Sequence, residues 1–225
     1  MAEKRYGTVY EDDSIIVIDK PSGMLVIPTP KKETNTLTDL INRDLDSRRI
    51  EANAYPCHRL DRETSGLILY AKGKAVQRLV MDQFKDRQVK KTYTAFVQGR
   101  VKRSVGTISG NIYNKDKRRP ESAVTKYITT DKRKDFTVVE VEPITGRTNQ
   151  IRIHFKAIGH PLVGESVYAF RKDYNLKFRR VALHAKRIEF KHPVTGEKMI
   201  FDSPLPADMA DFLHNTQYAI HNTKA

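Results

Sequence analysis

The amino-acid sequence predicts an α+β fold: a largely antiparallel, mixed sheet with flanking helices. Three observations predict it. Segments with strand patterning far outnumber those with helical periodicity. They are not separated by the regular helical crossovers that a doubly wound parallel sheet requires. From Thr92 to Val141 the chain reads as four strand-like segments with no helix between them. At 225 residues the chain can bury a substantial core. No stretch reads as a linker, so residues 1–225 are expected to form one domain.

The first strands are expected at Thr8–Tyr10, Ser14–Asp19 and Met24–Ile27, the last after a Pro21-Ser22-Gly23 turn. Leu37, Leu40, Ile41 and Leu45 recur at helical spacing behind Thr36, a suitable N-cap. Leu67–Ala71 reads as a buried strand, and Val76, Leu79, Val80 and Phe84 as an amphipathic helix. Strands follow at Thr92–Val97, Gly106–Tyr113, Ser122–Thr130 and Phe136–Val141. Ile151, His154, Phe155 and Ile158 then mark a helix after a turn at Thr145-Gly146. Val181–Phe190 and Met199–Phe201 read as strands around a Pro193…Gly196 turn, and Ala207–Leu213 as a short closing helix.

Composition narrows the function. Formal net charge is +14, and it is unevenly placed. Residues 1–84 carry 13 basic and 13 acidic side chains, residues 85–191 carry 26 and 10, and residues 192–225 carry 2 and 4. A middle segment with that imbalance calls for a polyanionic partner, of which nucleic acid is the commonest. The longest apolar run, Leu67–Ala71, is far too short to span a membrane. One cysteine, Cys57, excludes internal disulfides and cysteine-rich zinc sites and points to a reducing compartment, the cytoplasm. The histidines show no metal-ligand spacing, so no metal site is expected.

Two clusters carry candidate chemistry. His58-Arg59-Leu60-Asp61-Arg62-Glu63-Thr64-Ser65-Gly66 places an imidazole, two guanidiniums and two carboxylates ahead of a buried strand. Arg59 and Arg62 flank Asp61 and favour its ionised form, which suits a nucleophile or an electrostatic stabiliser; a turn capped by Asp61 with solvated arginines is the alternative, and the residues alone favour it. Thr145–His154 presents Arg147, Gln150 and Arg152 near a helix N-terminus, where anions are favoured. His154 falls on the buried stripe of that helix. Tyr93, among Lys90 and Lys91, is either a stacking platform for a base or an ordinary strand aromatic.

Together these segments resemble the RluA family of pseudouridine synthases. The resemblance rests on Lys20–Gly23 (KPSG), His58–Gly66 (HRLDRETSG), Lys91–Gly99 (KTYTAFVQG), Thr145–His154 (TGRTNQIRIH), Gly159–Gly164 (GHPLVG), Leu183-His184-Ala185 and His192-Pro193. These blocks run through nearly the whole chain, from about residue 8 to 213. Two positions depart from the family pattern: Asn149 stands where a His is usual, and Glu165 where an Asp is usual. The chain begins directly with the catalytic core, so the small N-terminal RNA-binding domain of some relatives is expected to be absent.

The resemblance implies isomerisation of uridine to pseudouridine within ribosomal or transfer RNA, in a central RNA-binding cleft. Asp61 would be the essential carboxylate, with Arg152 pairing with it and depressing its pKa. Tyr93 would stack on the uracil and help remove the C5 proton. Leu183 would pack the other side of the base, and Arg59 would fill the space of the flipped nucleotide. His58, Arg62, Thr64, Arg147 and Gln150 would contact substrate, and Lys117, Arg118 and Arg119 would grip the RNA backbone. No cofactor is implied, since the reaction is redox-neutral, and a monomer is expected. Two rivals remain at this point: a base-excising glycosidase, and a non-catalytic basic RNA-binding factor.

Overall fold

The computed structural model describes residues 5–169 and 176–221. Ten strands are present among them: β1 (Gly7–Glu11), β2 (Ile15–Lys20), β3 (Ala54–Pro56), β4 (Ser65–Lys72), β5 (Lys90–Gln98), β6 (Val105–Asn114), β7 (Arg119–Lys132), β8 (Phe136–Pro143), β9 (Leu183–Lys191) and β10 (Lys198–Asp202). Four helices accompany them: α1 (Leu37–Ser47), α2 (Lys74–Lys85), α3 (Gln150–Ala157) and α4 (Ala207–His221). The strands form one sheet in the order β1-β2-β4-β9-β5-β8-β7-β6, with β10 on β9 and β3 on β4. The architecture is α+β, as the sequence predicts.

Both faces of the sheet are covered, which explains the unbroken apolar runs in β2 and β4. Ile16, Ile18, Ile68 and Tyr70 pack on one face with Leu37, Ile41 and Leu45 of α1 and Phe155 of α3. Ile15, Val17, Leu67 and Leu69 point to the other face, against Val80 of α2. Further along the sheet Phe96, Phe136 and Val138 meet Met209 and Phe212 of α4. Helix α1 starts where Thr36 predicts, with a reciprocal capping box between Thr36 and Asp39.

Every strand pairing is antiparallel except β4–β9, where Ser65 and Gly66 lie beside His184 and Ala185 in parallel. The approach there is close: a Cβ on Gly66 would meet the Ala185 carbonyl oxygen at 2.4 Å, and Gly66 has φ +105°. This contact brings the entry of β4, and the loop preceding it, against the start of β9. The site lies there.

Two expectations need correction, and one strand was missed. Met24–Ile27 is not a strand. The Leu25 and Val26 carbonyls accept hydrogen bonds from the Leu37 and Thr38 amides at 2.8 and 3.2 Å, so the segment supports the start of α1 instead of a strand neighbour. β3 was not foreseen; it has three residues, one of them Pro56, and no alternation to detect. The closing helix runs on past Leu213 to His221.

Candidate active site

The loop from Cys57 to Thr64 is pinned on several sides. The Cys57 amide donates to the Leu69 carbonyl at 2.9 Å, and the Leu69 amide donates to His58 Nε2 at 3.1 Å. The Gly23 amide donates to the Arg62 carbonyl at 2.8 Å, and Arg62 Nε returns a bond to the Gly23 carbonyl at 3.0 Å. Two buried cations sit beneath. Lys20 Nζ donates to the carbonyls of Pro21, Met24 and Arg62. Arg180 donates from Nη1 to the carbonyls of Glu63 and Leu183, and its other face makes a two-point pair with Asp208 in the first turn of α4. Burial, with Arg180 adding to it, pulls the Lys20 pKa down to about 7, against the opposing pull of Asp61.

Asp61 projects from this platform. Its Oδ2 lies 3.7 Å from Arg152 Nη1, an ion-pair separation and too long for a good hydrogen bond. Burial raises the Asp61 pKa above the ordinary carboxylate value even though Arg152, Arg59 and Lys20 pull the other way. The expected depression is therefore overturned, because desolvation of the carboxylate outweighs its cations.

A cavity of about 620 Å³ opens over Asp61. Tyr93, Leu183, Thr64, His58, Arg59, Arg147, Gln150 and Arg152 all contribute to its wall, together with Lys85, Arg87, Lys90 and Lys91. A second, smaller cavity of about 200 Å³ lies on the Leu25–Ile27 side and shares Arg59, Asp61 and Arg152 with the first, while Arg62 borders it alone. The predicted Asp61, Tyr93, Arg152, Arg59 and Leu183 are thus brought together from four separate parts of the chain. Lys117, Arg118 and Arg119 do not line either cavity; they lie at the end of the β6–β7 hairpin, with Lys117 Nζ paired to Glu121 at 2.8 Å.

Two side chains, Gln150 and His58, do other work than expected. Gln150 is buried, and its amide is fully used inside the protein. Nε2 donates to the Val124 carbonyl and to Thr125 Oγ1, while Oε1 accepts from Thr145 Oγ1 and the Arg147 amide. It shapes the 145–150 loop and has no donor left for RNA. His58 spends Nε2 as an acceptor from the β4 backbone, and burial pushes its pKa down to about 3, so it is a neutral brace at the cavity wall. Burial, and secondly the Asp61 charge, raise the Tyr93 pKa, so its hydroxyl is a neutral phenol in the free protein. His154 is buried as expected, its Nδ1 within hydrogen-bond distance of Thr125 Oγ1.

Sequence reasoning did not single out Lys20, Arg180 or Lys91 as site residues. Lys20 ends an apolar strand at a position whose burial only the tertiary structure reveals. Lys91 was legible as a neighbour of Tyr93 on one strand face, and that alternation was the available signal.

A carboxylate in a cation-lined cavity, at the meeting of two central strands, suits an enzyme that acts on a polyanion. A family model described as RNA pseudouridylate synthase matches residues 14–157, and the chain belongs to that family, in its RluA-type branch. It is 39% identical over 218 residues to "Uncharacterized RNA pseudouridine synthase YlyB" of Bacillus subtilis, covering 92% of this chain and 71% of that one. It is 36% identical over 219 residues to "Ribosomal large subunit pseudouridine synthase D" of Pseudomonas aeruginosa, covering 89% and 68%. The solved structure "Human RNA Pseudouridylate Synthase Domain Containing 4" shares the fold, with TM-score 0.79 at 24% identity over 94% of this chain and 93% of that one. The protein is an isomerase that converts uridine to pseudouridine in RNA. Among the described residues no helix is long and apolar enough to cross a membrane.

Proposed function

We propose that the main cavity receives a uridine flipped out of a structured region of ribosomal or transfer RNA, and that Asp61 is the carboxylate on which the isomerisation depends. The observation that carries this is the Asp61–Arg152 ion pair at the floor of a cavity walled by Tyr93 and Leu183. In the reaction the N1–C1′ bond breaks, the uracil turns over, C5 bonds to C1′, the C5 proton leaves and N1 gains one. The product is an isomer, and the step needs neither oxidant nor cofactor. Asp61 supplies negative charge at the reacting centre, and Arg152 holds it in place. The Tyr93 ring and the Leu183 side chain sandwich the base. Extrusion costs a few kcal/mol of lost stacking, and least in a loop. Cations around the cavity and on the β6–β7 hairpin offset that cost through phosphate contacts.

Large-subunit ribosomal RNA is the first substrate to examine, because the Pseudomonas relative is named for that target. The protein works as a monomer in the cytoplasm, a setting that suits its free, buried Cys57. Asp61→Asn tests the reading. Tritium release from 5-tritiated uridine in RNA should disappear while RNA affinity stays close to wild type, because amide and carboxylate have the same shape. Turnover persisting above background in that variant removes Asp61 from the chemistry. Free uracil among the products would instead support a glycosidase.

A further inference from the structure

Among the cations that line the main cavity, Lys91 stands apart. Arg152 is committed to Glu165 and Arg147 to Glu121, while Arg59, Lys85, Arg87 and Lys90 are exposed to solvent. Lys91 is half-buried, and among the described residues no carboxylate lies within ion-pair distance of it. Its ammonium stands 5.3 Å over the Phe84 ring, which itself packs 5.2 Å from the neutral His58 ring. Burial alone draws its pKa down to about 8. A partly desolvated cation with no carboxylate within ion-pair distance is a costly arrangement in the free protein. It becomes favourable when an anion arrives with the ligand.

The geometry says which part of the ligand that is. Lys91 and Tyr93 are two residues apart on β5, and both face the cavity. The irregularity in the β5–β9 pairing falls between Thr92 and Tyr93, and Lys186 of β9 is the residue it leaves unmatched, so the alternation along β5 is kept. Two residues of strand span about 6–7 Å. That is the scale on which a nucleotide separates its base from its phosphate. Exposed Lys85, Arg87 and Lys90 surround the same stretch of rim and extend the positive surface outward.

We propose that Lys91 binds a backbone phosphate next to the flipped uridine, and so sets how far the nucleotide enters the cavity. This rests on the reading that the base lies against Tyr93 over Asp61. The test uses a stem-loop RNA with a uridine-only loop, whose affinity is measured across a series of salt concentrations for wild type, Lys91→Gln and Lys91→Arg. Lys91→Gln should bind roughly tenfold more weakly, the scale of a lost charge-assisted hydrogen bond. Its slope of log affinity against log salt should fall by about 0.7, the loss of one single-strand phosphate contact. Lys91→Arg, which keeps the charge, should recover the slope. An unchanged slope in Lys91→Gln overturns the proposal, whatever happens to affinity, and leaves Lys91 a packing partner of Phe84. A slope that falls equally in both variants also overturns it, since charge would then not be the cause. Tritium release by Asp61→Asn reports the Asp61 reading separately and does not enter the slope.

Discussion

Arg152 gives its two short hydrogen bonds to Glu165, at 2.7 and 2.8 Å, and reaches Asp61 only at 3.7 Å. Glu165 is almost wholly enclosed, and its Oε1 also accepts from the backbone amides of Ser166, Val167 and Tyr168. Asn149 adds a third hold on Arg152, accepting from Nη1 at 3.3 Å while its own Nδ2 donates to the Tyr168 hydroxyl. The two positions that depart from the family's sequence pattern are therefore both bonded to the guanidinium beside Asp61. Arg152 is a fixed cation whose charge is already shared, which is why burial wins at Asp61.

Glu165→Gln should damage stability and turnover together. Removing one partner of a buried ion pair costs about 3–5 kcal/mol. Glu165→Asp should recover part of both, because it keeps the charge and shortens the reach. Thermal melts and single-turnover rates measure the two effects. A Gln variant with wild-type rate would show that Arg152 is aimed by other contacts.

Asp61→Asn should be more heat-stable than wild type at pH 7. The folded-state pKa of Asp61 lies above its unfolded value, so the native protein holds the carboxyl proton more tightly. Stability from this group is then lost as pH rises from the unfolded value through the folded one. The neutral amide avoids that loss. The advantage of the variant should vanish below about pH 3, where the carboxyl is protonated in both states. Melting both proteins between acidic and neutral pH checks the sign; a variant less stable at pH 7 contradicts it.

Glu121 neutralises two of the cations expected to meet RNA. It pairs with Lys117 at 2.8 Å and with Arg147 Nη1 at 3.2 Å, and hydrogen bonds from Lys117 and Asn114 hold its pKa down to about 2. Glu121→Gln should tighten RNA binding and steepen its salt dependence, since two side chains become free for phosphates. Weaker binding would mean that Glu121 serves by orienting the hairpin.

Arg59 is exposed and borders both cavities over Asp61. If it fills the gap left by the flipped nucleotide, Arg59→Ala should be far more harmful on a structured stem-loop than on a short unstructured RNA. A few kcal/mol of unstacking sets the difference at up to about a hundredfold in single-turnover rate. Equal losses on the two substrates would place Arg59 in the chemistry instead.

The local signals were legible wherever one residue type has one physical use. Thr36 with Asp39 forms the cap it predicts, because a hydroxyl and a carboxylate three residues apart reach each other's backbone amides. Short unbroken apolar runs in β2 and β4 told of buried strands, and the blocks around Asp61, Tyr93 and Arg152 pointed to one family. Gln150 misled for a reason the sequence does not contain. Its four bonds go to Val124, Thr125, Thr145 and Arg147, and only chain folding brings Val124 and Thr125 to it.

By itself the sequence determined the strand-rich class, the positive middle segment and the family, and it named Asp61, Tyr93, Arg152, Arg59 and Leu183, which the fold gathers at one cavity. What only the tertiary structure decided is the balance of charges within that site. Asp61 and Arg152 are 91 positions apart, and Glu165 lies further along still, so their separations follow from the β4–β9 contact and the seat of α3. Lys20 is a buried cation because three carbonyls close around it, and Arg180 because Asp208 of α4 meets it. Electrostatic strength depends on distance and on exclusion of water, and neither is written in residue order.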